Sequence, residues 1–221
     1  MARRGKPVIS ARKQPRQSRS AQLVADILEA ATRVLVRDGA YHFTTARVAE
    51  AAGISVGSLY QYFPNKEAIL FRLQANEWRQ TMSQLERIVN DPNTPAPQRL
   101  RTAVRTFFRS ECDEAAFRSA LEAAAPLYRE APEAAAHADE GRHLMERFMK
   151  DALPGASARE RAFAADLMGN VMSATGKTIS VQNRSRSEVD ALADAVGDMF
   201  CAYLARPSRQ VGLDNMSPNR G

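Results

Sequence analysis

Apolar residues along this chain recur mostly at helical spacing. Leu23, Ile27, Ala31 (or Ala30) and Val34 stand at i, i+4, i+8 and i+11, so they share one face and predict a helix over residues 20–37. Gly39 follows as a stop, being the residue that most easily takes the left-handed conformation after a last turn. Thr44 or Thr45 then offers a hydroxyl cap for a short helix ending near Ala52. Gly53 lies where the chain must turn, and Ser55 caps a second short segment closed by Pro64. Helical spacing resumes over residues 66–90 with Ile69, Leu70, Leu73, Trp78, Met82 and Leu85. The run DPNTPAP at 91–97 is a break, and further helices are predicted over 98–112, 113–125, 133–153, 158–180 and 187–205. The chain is therefore read as all-α.

The segment TTARVAEAAGISVGSLYQYF, residues 44–63, carries the most specific pattern. Two short helices crossing at a steep angle need a small residue at their contact and a glycine free to take positive φ in the turn, and Ala49 and Gly53 supply both. Val48, Ile54, Leu59 and Phe63 then face inward. Val56, Gly57, Ser58, Tyr60, Gln61 and Tyr62 are left around the outer faces, small or hydrogen-bonding groups able to approach a groove. VGSLYQYF also has the β-formers of a strand, but the Ser55 cap and the Leu59/Phe63 pair at i and i+4 favour a helix.

Charge changes the picture at one end. Seven bases and no acid precede Asp26, so residues 1–25 carry +7 of a net charge of +6 and the remainder sums to −1. An arm this basic, containing Pro7 and Pro15 and lacking apolar periodicity before Leu23, is expected to be disordered when free and to meet a polyanion; a solvated tail is the plain alternative. Two cysteines 89 positions apart give neither a disulfide framework nor zinc-ligand spacing, so no metal is expected. No leader-like or membrane-spanning apolar run occurs, and the expected location is cytoplasmic.

TTARVAEAAGISVGSLYQYFPNKEAIL, with DILEAATRVLVRDGAYHF before it, resembles the DNA-binding domain of the tetracycline repressor (TetR) family over residues 20–72. The G-I-S turn, the G-S-L-Y segment and the Y-F-x-x-K-E segment carry the likeness. It implies a three-helix helix-turn-helix domain followed by a helical ligand-binding and dimerisation domain. The expected division is a basic arm at 1–19, a DNA-binding domain at 20–66, an effector and dimer domain at 67–205 and a loose tail at 206–221. The implied function is a transcriptional regulator, a repressor released by a small molecule. Its partners would be pseudo-palindromic double-stranded DNA, a second copy of the chain and a partly apolar effector.

By the same resemblance Thr45, Tyr62 and Lys66 hold phosphates, while Ser55, Val56, Gly57, Ser58, Tyr60 and Gln61 occupy the recognition region. Gln61 and Ser58 are the direct hydrogen-bonding readers, and Val56 suits a thymine methyl. Arg47 is either a phosphate contact or plain surface, and Arg16 and Arg19 are the arm residues nearest the domain. Beyond Leu73 the likeness names no ligand.

Later in the chain, Ala165, Gly169 and Ser173 recur at i, i+4, i+8, as do Ala193, Gly197 and Cys201. Such small-residue rows allow close helix approach and are read as dimer helices, with packing inside one chain as the alternative. Trp78, Phe107, Cys112, Tyr128, His143, Phe148 and Asn170 are the candidate effector contacts, Asn170 because its amide lies on the apolar stripe of Phe163 and Leu167. Catalysis finds little support. Gly176-Lys177-Thr178 lacks the glycine at 171 that a phosphate-binding loop needs, and Asp113 and Glu114 suit the start of a helix better than an acid pair. No cofactor is expected, and a ligand-independent architectural DNA binder is the alternative function.

Overall fold

Short polar side chains set most helix starts in this protein. The computed structural model describes residues 18–129 and 132–206, and the regular structure among them is helical. In chain order the helices are α1 (Ser18–His42), α2 (Thr45–Ala51), α3 (Val56–Tyr60), α4 (Lys66–Val89), α5 (Ala96–Asp113), α6 (Ala115–Ala124), α7 (Pro132–Ala152), α8 (Ala158–Ser180) and α9 (Arg186–Leu204). A 3₁₀ turn at Ala125–Leu127 follows α6. The side chains of Thr44, Ser55 and Asn65 each accept a backbone N–H three residues on, and Ser157 and Ser185 form reciprocal capping boxes with Glu160 and Glu188. Arg16 and the tail from Pro207 lie outside the described residues.

Two local expectations change. The first helix does not end at Gly39 but bends there, at φ 73° and ψ 169°, and one further turn carries it to His42. Asp113 and Glu114 do not cap α6, whose start has no side-chain cap bond. Each carboxylate has a better partner: Arg186 lies 3.1 Å from Asp113 and Arg118 lies 3.2 Å from Glu114.

Two apolar cores share α4. The first joins α1, α2, α3 and the start of α4 through Ile27, Val34, Leu35, Phe43, Val48, Leu59, Phe63 and Ile69, and it is closed by Leu121 and Ala124 of α6 and by Tyr128. The second gathers Leu85, Leu100, Val104, Phe108, Phe148, Met149, Met168 and Phe200 from α4, α5, α7, α8 and α9. Helix α5 is its platform, packing against α4, α6, α7, α8 and α9.

Close approach to α5 explains one small-residue row. Ala193 is fully buried, a Cβ on Gly197 would meet the Arg101 Cα at 3.3 Å, and the Cys201 Sγ donates to the Pro97 carbonyl at 3.5 Å. This row therefore packs inside the protomer and is not a dimer contact. An antiparallel ladder of Arg101–Asp198, Arg105–Asp194 and Arg109–Asp190 pairs, four residues apart on each helix, runs along the same α5–α9 seam. The other row, Ala165, Gly169 and Ser173, faces a cavity, and nothing lies within 4 Å of a Cβ built on Gly169.

These two mid-helix glycines should respond with opposite signs. Gly169→Ala is expected to stabilise the protein by about 1 kcal/mol through helix propensity, because the added methyl meets open space. Gly197→Leu is expected to cost about 1–3 kcal/mol by overpacking against the Arg101 backbone. Urea denaturation reads both, and equal effects would contradict the difference in packing.

Candidate DNA-reading surface and effector cavity

The helix-turn-helix is held by backbone bonds around its glycine. Gly53 takes φ +67°, its N–H reaches the Glu50 carbonyl at 3.1 Å, and the Ile54 N–H reaches Ala49 at 3.0 Å. Val48, Ala49, Leu59 and Phe63 are buried beneath the turn and Ile54 is half-buried. This leaves Ser55, Val56, Gly57, Tyr60 and Gln61 exposed along one edge, with Ser58 half-buried among them. The Ser55 and Ser58 hydroxyls lie 2.9 Å apart and Ser55 also accepts the Ser58 N–H, so Ser58 is partly committed to the cap. Gln61 is the exposed amide at the C-terminal end.

Thr45 and Tyr60 are brought together: the Thr45 Oγ1 and the Tyr60 hydroxyl share a hydrogen bond at 3.1 Å, tying α2 to α3. Lys66 is half-buried in the first turn of α4, beside orphan N–H groups that favour an anion. Arg19 is exposed in the first turn of α1. Arg47 is exposed but bonds Asp38 at 3.2 Å and the His42 carbonyl at 3.4 Å, fastening α2 to the end of α1. The Arg37 guanidinium, bonded to the same Asp38, holds that carboxyl below its ordinary range. Tyr62 is the correction on this surface. It is 7% exposed and packs into the first core, because α3 ends at Tyr60 and the following turn rotates its ring inward. Tyr41, 89% exposed beside His42, carries no signal in the apolar pattern.

A cavity of about 640 Å³ lies between α4, α5, α6, α7 and α8. Its apolar walls include Trp78, Met82, Leu85, Phe107, Leu144, Phe148 and Met172. Of the candidate effector contacts, Trp78, Phe107 and Phe148 line the cavity, and Asn170 lines its rim, exposed rather than buried. Three expected contacts fall elsewhere. Tyr128 belongs to the first core, donates to Gln74 Oε1 at 3.3 Å and is pushed up to about 12 by burial. Cys112 packs against the second core, and His143 is exposed on α7 away from the lining.

Apolar periodicity passes over the polar end of this cavity. Arg118 of α6 lies 2.7 Å from Glu77 of α4, also pairs with Glu111 of α5, and reaches Glu114 at 3.2 Å. It donates further to Thr81 Oγ1 at 3.0 Å and Ser110 Oγ at 2.8 Å, while Thr81 donates to Glu77 at 3.1 Å. The Glu77 side chain is 8% exposed and those of Arg118 and Glu111 are 15% exposed. Burial pushes both Glu77 and Glu111 above the ordinary carboxylate range despite the attraction of Arg118. Spacing of i, i+4 and i, i+7 among Glu111, Glu114 and Arg118 was the available signal, but it does not reveal that Glu77 arrives from another helix.

Among the described residues, no helix is long and apolar enough to cross a membrane, and no group of three or more His, Cys, Asp or Glu is placed to hold a metal. A helix-turn-helix fused to a helical body with a ligand-sized cavity defines the class of DNA-binding regulators that carry their own sensing domain. Residues 95–206 match the tetracyclin repressor-like C-terminal domain and residues 27–73 match the tetR family of bacterial regulatory proteins. The chain belongs to the tetR family of regulators.

Its relatives share the architecture at low identity. The fatty acid metabolism regulator protein of Bacillus subtilis (strain 168) is 29% identical over 82 residues, 37% of this chain and 42% of that relative, so the match spans less than half of its length. The fatty acid degradation regulator FadR from Bacillus halodurans has a TM-score of 0.66 at 18% identity, covering 88% of this chain and 100% of that one. FadR from Bacillus subtilis in complex with stearoyl-CoA has a TM-score of 0.63 at 18% identity, covering 80% and 97%. At these identities the structural likeness is one of fold.

If Gln61 meets base edges and Lys66 a phosphate, as expected from the resemblance, their variants should behave differently. Gln61→Ala is expected to change base preference, with about 1–3 kcal/mol lost on the preferred site. Lys66→Ala should weaken all sites nearly alike. Selection from a random duplex library measures this, and altered preference in Lys66→Ala alone would reverse the roles.

In the cavity, Arg118→Met should destabilise by more than about 2 kcal/mol, since three carboxylates lose their shared cation, whereas Glu111→Gln should be close to neutral. Acids whose folded pKa is raised add stability below their ordinary range and lose it as pH rises through the raised value. The Arg118→Met deficit should therefore shrink as pH falls into the carboxylate range. Denaturant melts at several pH values check it, and a pH-independent deficit would place the loss in packing.

Proposed function

We propose that this protein is a homodimeric transcriptional repressor that leaves a pseudo-palindromic operator when a small, largely apolar effector fills the cavity. The observation that carries this reading is the double role of α6. Arg118 and Leu121 both line the cavity, and Leu121 together with Ala124 is also buried in the core that supports the helix-turn-helix. A ligand that prefers one position of α6 therefore biases the orientation of α1 against it, which a ligand-independent architectural binder would not require. The name of the Bacillus subtilis relative and the stearoyl-CoA held by its FadR support a long apolar body for the effector.

For the dimer we favour the outward face of α8 and α9, where Leu167 and Met199 are 37% and 52% exposed beside half-buried Val171, Leu192 and Val196. Two copies joined there would present two recognition helices to successive major grooves. Division into a DNA-binding unit near 20–66 and an effector unit near 67–205 remains our functional description, with α6 bridging them. The basic arm, Arg16 and Arg19 included, adds phosphate contacts. Regulation rather than catalysis is the role we assign, in the cytoplasm where the DNA is.

The test begins with an operator selected from random duplexes and a thermal-shift screen of small molecules. Compounds that raise the melting temperature should lower operator affinity in proportion to their stabilisation. The full chain should also show a steeper salt dependence than one lacking residues 1–17, by about 0.9 in logarithmic slope for each phosphate that the arm neutralises. Stabilising compounds that leave operator binding unchanged would remove the release mechanism.

A further inference from the structure

The charges at the polar end of the cavity do not balance. Glu77, Glu111 and Glu114 come from α4, α5 and the start of α6, and among the described residues Arg118 is the cation that all three share. Arg118 is the base paired with both Glu77 and Glu111, while each is repelled by Glu114 and Glu111 also by Glu122. Lys177 at the rim is paired with Glu122, and Arg142 and Asp166, also in the lining, cancel in formal charge. Carboxylates held this deep, with less positive than negative charge around them, gain most from a further cation carrying hydrogen-bond donors. An anionic head group would instead enter against the same field.

Beside this end lies an apolar and aromatic channel. Trp78, Phe107 and Phe148 line it, and a Cβ on Gly141 of α7 would meet the Trp78 ring at 3.1 Å, so the indole is fixed between helices. The Trp78 Nε1 is buried without a hydrogen-bond partner, yet the ring is a good π partner for an ammonium. We propose that the effector is a lipophilic amine, its protonated nitrogen seated against Glu77 and Glu111 and its apolar body along Trp78, Phe107 and Phe148. This assignment rests on the cavity being the effector site. It parts from the stearoyl-CoA of the Bacillus subtilis FadR, whose head is anionic, while keeping a long apolar body.

Trp78 is the sole tryptophan of the chain, so intrinsic fluorescence reports on this cavity directly. Decylamine, decanol, decanoate and decanoyl-CoA, each below its micelle threshold near neutral pH, differ in head group on a common body. Decylamine is expected to bind at least about tenfold more tightly than decanol, with decanoate and decanoyl-CoA weaker still. In Glu77→Gln/Glu111→Gln the amine preference should fall about tenfold while decanol affinity holds; Glu111→Gln alone, which leaves the Glu77–Arg118 pair intact, should lose part of it. Decanoate or decanoyl-CoA binding as tightly as decylamine overturns the head-group assignment and leaves the cavity as the binding site. Amine preference undiminished in both variants overturns the role of the two glutamates. No Trp78 response to any of the four overturns the effector-site reading and this assignment with it.

Discussion

Arg118 reaches Glu77 of α4, Glu111 of α5 and Glu114 at the start of its own helix, so one guanidinium fixes the place where three helices meet. A buried charge of this kind contributes little net stability, because desolvation offsets most of the Coulomb attraction. Its value is positional. A planar donor fork bonded on several sides leaves α6 few alternative orientations. With Arg118 held, Leu121 and Ala124 face α1 and close the core beneath the helix-turn-helix. The DNA-reading surface therefore inherits its orientation from a polar cluster on a cavity wall in the other half of the protein.

Helix α5 supplies the second constraint. It accepts α9 closely enough that Gly197 lies against the Arg101 backbone, and it accepts α8 at Gly176, where a Cβ would meet the Phe107 ring at 2.9 Å. The three Arg–Asp pairs along the α5–α9 seam are exposed or half-buried, and water screens each of them. Their four-residue spacing on both helices nevertheless matches a single antiparallel register. Glycine contacts set the distance between these helices, and the charge ladder sets their alignment.

Much of the fold is local chemistry and was legible in the chain. Helices over 158–180 and 187–205 are predicted within a residue of α8 and α9, and Ser157 and Ser185, each three residues before a glutamate, start them with capping boxes. The turn around Gly53 needs positive φ, and Ala49 needs no room, so the helix-turn-helix is written in adjacent residues. Tyr62 was misplaced outward because periodicity continued through it, whereas α3 ends two residues earlier and the chain rotates. Such an end depends on how Tyr62 and Phe63 pack under α1 and α4, which periodicity does not contain.

By itself, then, the sequence determined the helices and the turn between α2 and α3, because caps, φ preferences and helical spacing act over a few residues. Only the tertiary structure decided what each face meets. Small rows at 165–173 and 193–201 look alike along the chain, yet one borders a cavity and the other packs on α5. Glu77 and Arg118 are 41 residues apart and come together only when α4 and α6 pack. Helical periodicity says that a face is small, apolar or charged; its partner depends on long-range packing that residue spacing does not encode.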